Sequence, residues 1–379
     1  MTLSARPASA SALRARFPYL EEVAYLNTAS ASPSAIDVAG AAEAFHRAIK
    51  VKGIDARPEW LAKIETVRAR LGAYLGAPAE RVGFHGSCTE AMNLVAHSIA
   101  GKAPFLVVVD REDHPAIWNP WLGAESTNVS VHFAESRGGE PREASLLSAA
   151  VAIGAQAMAL SEVDSWTGAR IDFPKISAQC RERNVLLIVD GTQAAGAVPV
   201  DATLADAYMG SVFKWLLAGF GLGYLVLSPA LSARLTPAFR GYKNEPPSRD
   251  LRYGHINLGG LYELDAALAL LEAGRDLGLA NQAQSLASRL RRALIDDGYS
   301  IATPEFHAGI VTVDCGGSER VMAELATQDV SVAALPRGIR ISAHLYNTEG
   351  DVDRCVRAFA RVDLGSDRRT SPTLRSAQT

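Results

Sequence analysis

The chain lacks features that define several large classes of protein. No apolar run reaches the roughly 20 residues that cross a bilayer, and the first residues lack the apolar core of a secretory signal. There is no run of Lys and Arg, and the formal net charge of -3 gives no basic field for nucleic acid. We therefore expect a small-molecule partner, with neither a membrane nor a nucleic acid as partner.

Cysteine is scarce and scattered along the chain. The four cysteines are Cys88, Cys180, Cys315 and Cys355, and no two of them form a CxxC pair. This spacing predicts neither a zinc site nor a disulfide framework. A reducing compartment suits such a chain, so we expect no metal and a cytoplasmic location.

The chain has enough apolar residues for a large core. Of its 379 residues 48% are hydrophobic and 21% are charged, which predicts a globular protein of two domains. Residues 1–25 predict an N-terminal segment with a frayed start and a short helix, although their Arg, Ser and Ala content also resembles a transit peptide. The polar residues 365–379 predict a disordered tail.

Apolar strands alternate with helical stretches over residues 26–258. Buried parallel strands are predicted at 105–110, 157–163, 185–190 and 221–228, with helices such as 89–100 and 173–184 between them. This alternation predicts an α/β domain with a mainly parallel sheet. Ligands of such sheets bind at the carboxyl ends of the strands, where Asp110, Val163 and Asp190 fall.

A smaller α+β domain is predicted over residues 259–364. It begins with a long helical segment at 261–298 and ends with a helix at 348–362. Short strands are predicted between them, at 309–315, 330–335 and 338–344. Residues 240–260, rich in Pro, Gly and charge, predict a long ordered loop or arm before this domain.

Two stretches of the large domain carry candidate chemistry. Ser87, Cys88 and Thr89 precede an apolar helix, where backbone N–H groups bind an anion or where the side chains simply cap the helix. Lys214 lies among aromatic and aliphatic residues, and burying an ammonium is costly without a chemical role. Asp190 alone at a strand end would be read as a cap or turn residue. Together with Lys214 it has a second interpretation, in which the carboxylate binds a pyridinium nitrogen and the amine of Lys214 forms an imine.

Three motifs in order carry a family resemblance. They are VDGTQAAGAVPVD at 189–201, SVFKWLLAGFGLGYL at 211–225 and IRISAHLYNTEGDVDR at 339–354. Together they resemble the class V aminotransferase fold of pyridoxal phosphate (PLP) enzymes, fold type I, and within it the cysteine desulfurase, selenocysteine lyase and isopenicillin epimerase-like branch. The resemblance implies a large PLP-binding domain with a seven-stranded-type sheet and a homodimer with the active site at its interface. Residues 242–257 would cross to the partner.

The resemblance also implies roles for single residues. Lys214 matches the lysine that binds PLP covalently and moves protons at Cα, and Asp190 matches the acid that pairs with the pyridine nitrogen. Gln193 matches the side chain that forms a hydrogen bond with the phenolic oxygen of the cofactor. His114 falls where a histidine stacks on the ring, although Trp118 is an alternative. The phosphate would be held by a further group, Ser87, Cys88, Thr89 and Ser211.

The remaining site residues concern the substrate and the partner subunit. Arg340 matches the arginine that binds the α-carboxylate, and a planar guanidinium suits that task; pairing with a surface acid is the less favoured alternative. Asn27, Glu162 and Trp118 are further expected substrate contacts. His255 stands where the family often has a threonine that reaches the neighbouring subunit's phosphate, and it is equally readable as a solvated loop histidine.

Departures from the family narrow the expected reaction. Residues 329–342 contain no cysteine, so a persulfide-forming desulfurase is not expected, and Phe213 replaces a histidine beside the lysine. The leading hypothesis is β-elimination from an S-substituted cysteine or its sulfoxide, giving pyruvate, ammonia and a sulfur product. Decarboxylating oxidative deamination, transamination and epimerisation stay open, as does a binding module. Gly219 to Gly223 continue into a strand, which disfavours a dinucleotide-binding oxidoreductase.

Overall fold

A computed structural model of the chain describes residues 6–99, 104–125, 128–134, 141–244 and 251–362. The N-terminal segment contains helix α1 (Ala10–Arg14) and strand β1 (Ala24–Tyr25), and leads into helices α2 (Ile36–Lys52) and α3 (Arg57–Tyr74). Ser9 caps α1, because its hydroxyl accepts from the N–H of Ala12. The short helix expected in this segment is therefore present.

A seven-stranded sheet forms the centre of the large domain. Its strands are β2 (Val82–His85), β3 (Phe105–Asp110), β4 (Val129–Ala134), β5 (Ala157–Ser161), β6 (Leu186–Asp190), β7 (Ala207–Ser211) and β8 (Gly223–Leu227). Their order across the sheet is β2-β8-β7-β6-β5-β3-β4. The pairs β3·β4, β3·β5, β5·β6 and β6·β7 are parallel, which confirms the expected α/β fold.

Strand β8 differs from the expectation of a parallel strand. It pairs antiparallel with both β7 and β2. All five residues of β8 are buried, so its apolar run has the composition of a buried parallel strand although its direction is reversed. The segment 212–222 therefore starts and ends at the same edge of the sheet, and it carries Lys214.

Helices cover both faces of the sheet. They are α4 (Cys88–Ile99), α5 (Pro115–Gly123), α6 (Arg142–Ile153), α7 (Phe173–Glu182), α8 (Pro229–Ser232) and the long α9 (Leu258–Asp276). Two apolar clusters result. One packs Leu71 and Val82 with Leu264 of α9, and the other packs Leu94 and Trp121 with strand residues of the opposite face. The predicted domain boundary at 258–259 stays a prediction, and α9 packs against α2 and α3.

The smaller unit has its own core beside the large sheet. Its elements are α10 (Gln282–Asp296), β9 (Ile310–Asp314), α11 (Ser318–Ala326), β10 (Val330–Ser331), β11 (Ala333–Leu335), β12 (Gly338–Ser342) and α12 (Glu349–Phe359). Strands β11, β12 and β9 form an antiparallel sheet, and β10 pairs with β1. A capping box of Thr348 and Asp351 begins α12.

Some expected elements change or fall outside the described residues. The helical segment expected at 261–298 is two helices, α9 and α10, because the chain turns at Gly278 with φ of 79°. The predicted tail at 365–379 lies outside the described residues, as do 245–250 of the predicted arm. Across the described ranges, we find no helix with the length and apolar character of a membrane span.

Candidate active site

Three charged side chains from distant parts of the chain act on one another at one edge of the sheet. Asp190 ends β6, half-buried Lys214 follows β7, and Arg340 lies in β12. Burial lowers the pKa of Lys214, the positive charge of Arg340 lowers it further, and Asp190 opposes both effects. The neutral amine is therefore easier to form here than on an exposed lysine, as a base or nucleophile requires.

Asp190 is fixed by the turn that follows its own strand. Its side chain is buried, and Oδ1 accepts from the N–H of Thr192 at 2.7 Å. The hydroxyl of Thr192 in turn accepts from the N–H of Ser211 at 3.1 Å. This chain of hydrogen bonds ties the end of β6 to the end of β7, so the carboxylate is held beside the loop that carries Lys214.

The N-terminus of α4 is capped by a side chain, and it lies against the end of β7. The Ser87 hydroxyl accepts from the N–H of Glu90 at 3.0 Å, which is an N-cap. The N–H of Cys88 donates to the Ser211 hydroxyl at 3.0 Å, while Thr89 is exposed. A Cβ at Gly223 would lie 2.6 Å from the carbonyl carbon of Ser87, so only glycine allows β8 to pass here. Capping is therefore present, and anion binding by this helix start stays a prediction.

The thiol of Cys88 lies within the same cluster. Burial raises the pKa of Cys88 well above its ordinary value, and the neighbouring carboxylate of Asp190 adds to the effect. A neutral thiol is a weak donor and a poor nucleophile. Cys88 therefore belongs to the wall of the site rather than to its reactive groups.

Arg340 is buried and held by two contacts from elsewhere in the chain. Its Nη1 donates to the carbonyl of Ser165 at 2.8 Å, and its Nη2 donates to the hydroxyl of Ser30 at 2.8 Å. Its Nε has no partner among the described residues. Burial lowers the pKa of Arg340 to about 10, so the group remains a cation at neutral pH. A buried guanidinium with donors to spare is suited to a carboxylate ligand.

Asn27 lies beside β12, the strand that carries Arg340. It forms a parallel bridge with Ser342 of β12, and its Nδ2 donates to the carbonyl of Val332 at 3.4 Å. The buried Oδ1 has no partner among the described residues. A buried amide oxygen without a partner is costly, so this oxygen suits a bound donor. The substrate role of Asn27 stays a prediction.

A buried ion pair supports the turn before α5. The carboxylate of Asp113 accepts from Arg142 at 2.7 Å and from both the N–H and the hydroxyl of Ser161, at 2.9 and 2.8 Å. It also accepts from the N–H of His114 at 2.8 Å. His114 is the exposed N-cap of α5, and its Nδ1 accepts from the N–H of Ala116. The position of His114 therefore depends on Asp113.

Three predicted site residues are not brought into this cluster. Trp118 packs against Phe133, with the Arg111 guanidinium 5.0 Å from its ring centre. Exposed His255 packs edge-on against Tyr242, beside a groove of about 410 Å³. Their roles stay predictions, and the role of His255 requires a second subunit.

Glu162 is the third of these residues, and it lies on the other face of the sheet. It follows Ser161, which pairs with Asp190, so strand alternation turns it away from the Asp190 side. Its Oε2 accepts from the Tyr208 hydroxyl at 2.8 Å, and burial raises the pKa of Glu162 to about 7. The expected substrate contact of Glu162 stays a prediction, and in this arrangement its carboxylate is engaged by Tyr208.

The sequence reasoning missed several residues that hold the site in place. They are Ser30, Asp113, Arg142, Ser165 and Thr192. Thr192 carried a local signal, because an Asp two residues before a backbone N–H commonly closes a turn. Ser30 and Ser165 carried none, since their contacts with Arg340 span 310 and 175 residues.

Comparison with known proteins agrees with this arrangement. The family model of aminotransferase class-V matches residues 24–355, so the chain belongs to that family. Isopenicillin N epimerase of Amycolatopsis lactamdurans is 29% identical over 335 residues, covering 78% of this chain and 84% of its own. The apo cysteine desulfurase of Thermococcus onnurineus NA1 has a TM-score of 0.82 at 20% identity, covering 94% of this chain and 98% of its own.

A further solved structure shares the fold. The cystine C–S lyase C-DES, in complex with its product cysteine persulfide, has a TM-score of 0.82 at 19% identity, covering 91% of this chain and 99% of its own. At these identities the structural likenesses concern the fold. The family assignment identifies the cofactor as pyridoxal phosphate, which the sequence motifs predicted.

The residues present fit this cofactor. It carries a phosphate, a pyridine nitrogen and an aldehyde, and the site offers a helix start, a carboxylate and an amine of lowered pKa. The helix start is that of α4 with Ser211, the carboxylate is Asp190, and the amine is Lys214. Each group of the cofactor thus has a chemically matched counterpart.

Proposed function

We propose that the protein is a PLP-dependent lyase that removes the sulfur substituent from an S-substituted cysteine or its sulfoxide. The products would be pyruvate, ammonia and a sulfur compound. The observation that carries this proposal is a lysine of lowered pKa between Asp190 and Arg340 in a chain whose four cysteines are all buried. Proton removal at Cα is thereby supported, and sulfur transfer to the protein is not.

Arg340 would bind the substrate's α-carboxylate. Its guanidinium is held by Ser165 and Ser30, so its direction is set before the substrate arrives. A carboxylate fixed in this way decides which bond at Cα faces the reacting groups. Asn27, close by on the β12 side, is a second polar contact for the substrate.

Lys214 would then act as the base. When bound, pyridoxal phosphate supplies an electron sink for the pair of electrons released at Cα. Lys214 Nζ takes the Cα proton, a task that its lowered pKa favours. The Cβ–S bond breaks with its electron pair passing to sulfur, and water converts the remaining three-carbon fragment to pyruvate and ammonia. Asp190 would pair with the ring nitrogen of the bound cofactor.

The short turn before Arg340 supports release of the sulfur product over transfer of sulfur to a cysteine of the protein. β11 and β12 are joined by a tight turn, because Leu335 pairs with Gly338. Cys315 and Cys355, the cysteines of the smaller unit, are buried with 8% and no exposure. A persulfide-forming thiol has to be exposed and deprotonated, whereas burial raises the pKa of Cys355 to about 12. One fold relative is described as a cystine C–S lyase, so this fold can accommodate such chemistry.

Epimerisation is the second candidate function. The relative at 29% identity is an isopenicillin N epimerase. Such a reaction would start with the same proton removal by Lys214 and end with a proton returned to the opposite side of Cα. Decarboxylating oxidative deamination and transamination are further outcomes from the same starting step.

The test is product analysis by mass spectrometry. PLP-loaded enzyme is incubated with S-substituted cysteines and their sulfoxides, beside Lys214→Ala as control. Pyruvate and ammonia formed by the wild type alone would support the lyase. Inverted or racemised substrate would identify the epimerase instead. Carbon dioxide with an aldehyde, or a keto acid with aminated cofactor, would also refute elimination.

We also propose a homodimer in the cytoplasm. Trp60 and His255 line the groove beside α3, and the exposed fractions of Val51 and Ile54 are 77% and 69%. Such an apolar surface suits a partner subunit, with the arm at 242–257 crossing to it. Sedimentation at assay concentration tests this proposal, and a fully active monomer would refute it.

A further inference from the structure

The residue after the lysine forms a buried hydrogen bond with Gln193. The indole Nε1 of Trp215 donates to Oε1 of Gln193 at 2.6 Å. Trp215 is fully buried, and Gln193 is 4% exposed. An indole N–H can only donate a hydrogen bond, so its partner is the amide oxygen and not the amide nitrogen. The Trp215 side chain therefore decides which end of the Gln193 amide is the oxygen.

The other end of the amide is consequently a donor. Gln193 Nε2 donates to the carbonyl of Ala29 at 3.2 Å. The amide nitrogen carries two hydrogens, and the bond to Ala29 uses one of them. With its oxygen turned to Trp215, Gln193 offers a bound molecule the second hydrogen of its Nε2 as a donor.

Trp215 is itself held rigidly between the two cores. A Cβ at Gly309 would lie 2.6 Å from Cη2 of its ring, and one at Gly196 would lie 2.1 Å from its carbonyl oxygen. That carbonyl accepts from Nε2 of His344 at 2.9 Å. The contacts of the carbonyl fix the backbone of Trp215, while full burial and the close approach of Gly309 confine its indole beside Gln193.

We propose that Trp215 is a positioning residue that fixes the amide of Gln193 as a donor toward the phenolic oxygen of the bound cofactor. The inference concerns the cofactor and is independent of the reaction proposed above. A donor stabilises the deprotonated form of the group that accepts from it. Loss of the indole N–H would release the amide, which then presents either end.

The test is a pH titration of the visible absorbance of the PLP-loaded protein. Trp215→Phe removes the N–H and keeps most of the ring. We expect the midpoint of the pH-dependent absorbance change to move to higher pH by about half a unit to one unit. A shift of this size corresponds to the free energy of one hydrogen bond. Trp121→Phe is the matched control, because Trp121 is also fully buried and its Nε1 has no partner among the described residues.

A second pair of variants shows whether Trp215 acts through Gln193. Gln193→Leu should shift the transition on its own, and Trp215→Phe added to it should produce no further shift. Should Trp215→Phe fail to fold, β-(3-benzothienyl)alanine at position 215 keeps the ring shape without the N–H. An unchanged titration in the folded Trp215 variant, or full additivity in the double variant, would overturn the proposal.

Discussion

Asp190 and Arg340 carry opposite charges at the same site, yet the chain holds them by different means. Asp190 accepts from Thr192, two residues along, in the turn that ends its own strand. Arg340 donates to Ser165 and Ser30, which lie 175 and 310 residues away. The carboxylate on the cofactor side is thus oriented by local chain geometry. The substrate side exists only when three distant segments are packed together, so it is the side that substitutions far from the site will disturb.

The largest effect is expected where a buried pair supports both sides. Arg142→Gln leaves the fully buried carboxylate of Asp113 without its cation and removes the charge near Asp164, which precedes Ser165. Breaking a buried pair in this way costs about 3–5 kcal/mol of the free energy of unfolding. Urea unfolding of the apoprotein measures it.

The control for this variant is an exposed arginine. Arg289 pairs with Asp353 at the surface, both more than 40% exposed, so Arg289→Gln should leave the free energy of unfolding close to that of the wild type. If the two variants lost the same free energy of unfolding, the buried Asp113–Arg142 pair would stabilise the protein no more than an exposed pair does. The double variant Arg142→Met with Asp113→Leu should recover part of the stability.

Arg340→Lys tests whether the two sides are separable. Lysine keeps the charge and loses the planar fork, so kcat/KM should fall by about 30-fold or more, equivalent to roughly 2 kcal/mol of binding. The absorbance of bound cofactor should stay close to that of the wild type, because Asp190 and Thr192 do not depend on Arg340. A change in cofactor affinity as large as the change in kcat/KM would contradict the comparison.

His344→Gln tests the hydrogen bond that joins the sides through Trp215. Burial lowers the pKa of His344 to about 4, so the native state stays neutral while the unfolded chain takes up a proton near pH 6.5. Wild-type stability should therefore fall as the pH drops from about 6.5 to 4, by roughly 3 kcal/mol from this residue.

The glutamine variant should lack that part of the pH dependence. The measurement is urea unfolding at pH 4.5 and at pH 7.5, with the difference between the two values compared in wild type and variant. Identical differences would show that His344 does not titrate as its burial requires. Any loss common to both pH values reports the donor to Trp215 instead.

The smallest effect is expected from an exposed ion pair. Arg337, in the turn before β12, lies 3.2 Å from Glu112, and both side chains are about 70% exposed. Glu112→Gln should change stability by at most about 1 kcal/mol and leave KM unaltered. A strong rise in KM would show that this pair orders the site, which would make the substrate side less dependent on Ser30 and Ser165.

Much of the large domain follows from local sequence. The runs that became β3, β5 and β6 are short, apolar and bounded by polar residues, and such runs have few alternatives to a buried strand. The direction of β8 was not readable, because side-chain burial is the same for either direction. The break between α9 and α10 was missed because a single glycine, Gly278, interrupts an otherwise continuous apolar pattern.

The site shows the same division between local and distant information. Lys214, Asp190 and Arg340 stood out because their motifs occur in order along the chain. Ser30 and Ser165 did not, since a serine that donates or accepts one long-range hydrogen bond has no sequence pattern. The direction of the Glu162 side chain was predictable, because alternation along β5 turns the residue after Ser161 away from Asp190.

The reversed strand β8 has a consequence for the order in which the protein folds. With β7 it forms a hairpin around 212–222, and hairpins close in about 1–10 μs because few residues separate their strands. The contact between Arg340 and Ser30 must instead close most of the chain, which is slow. We expect the lysine loop to reach its final shape early in folding, while the arginine becomes ordered among the last residues.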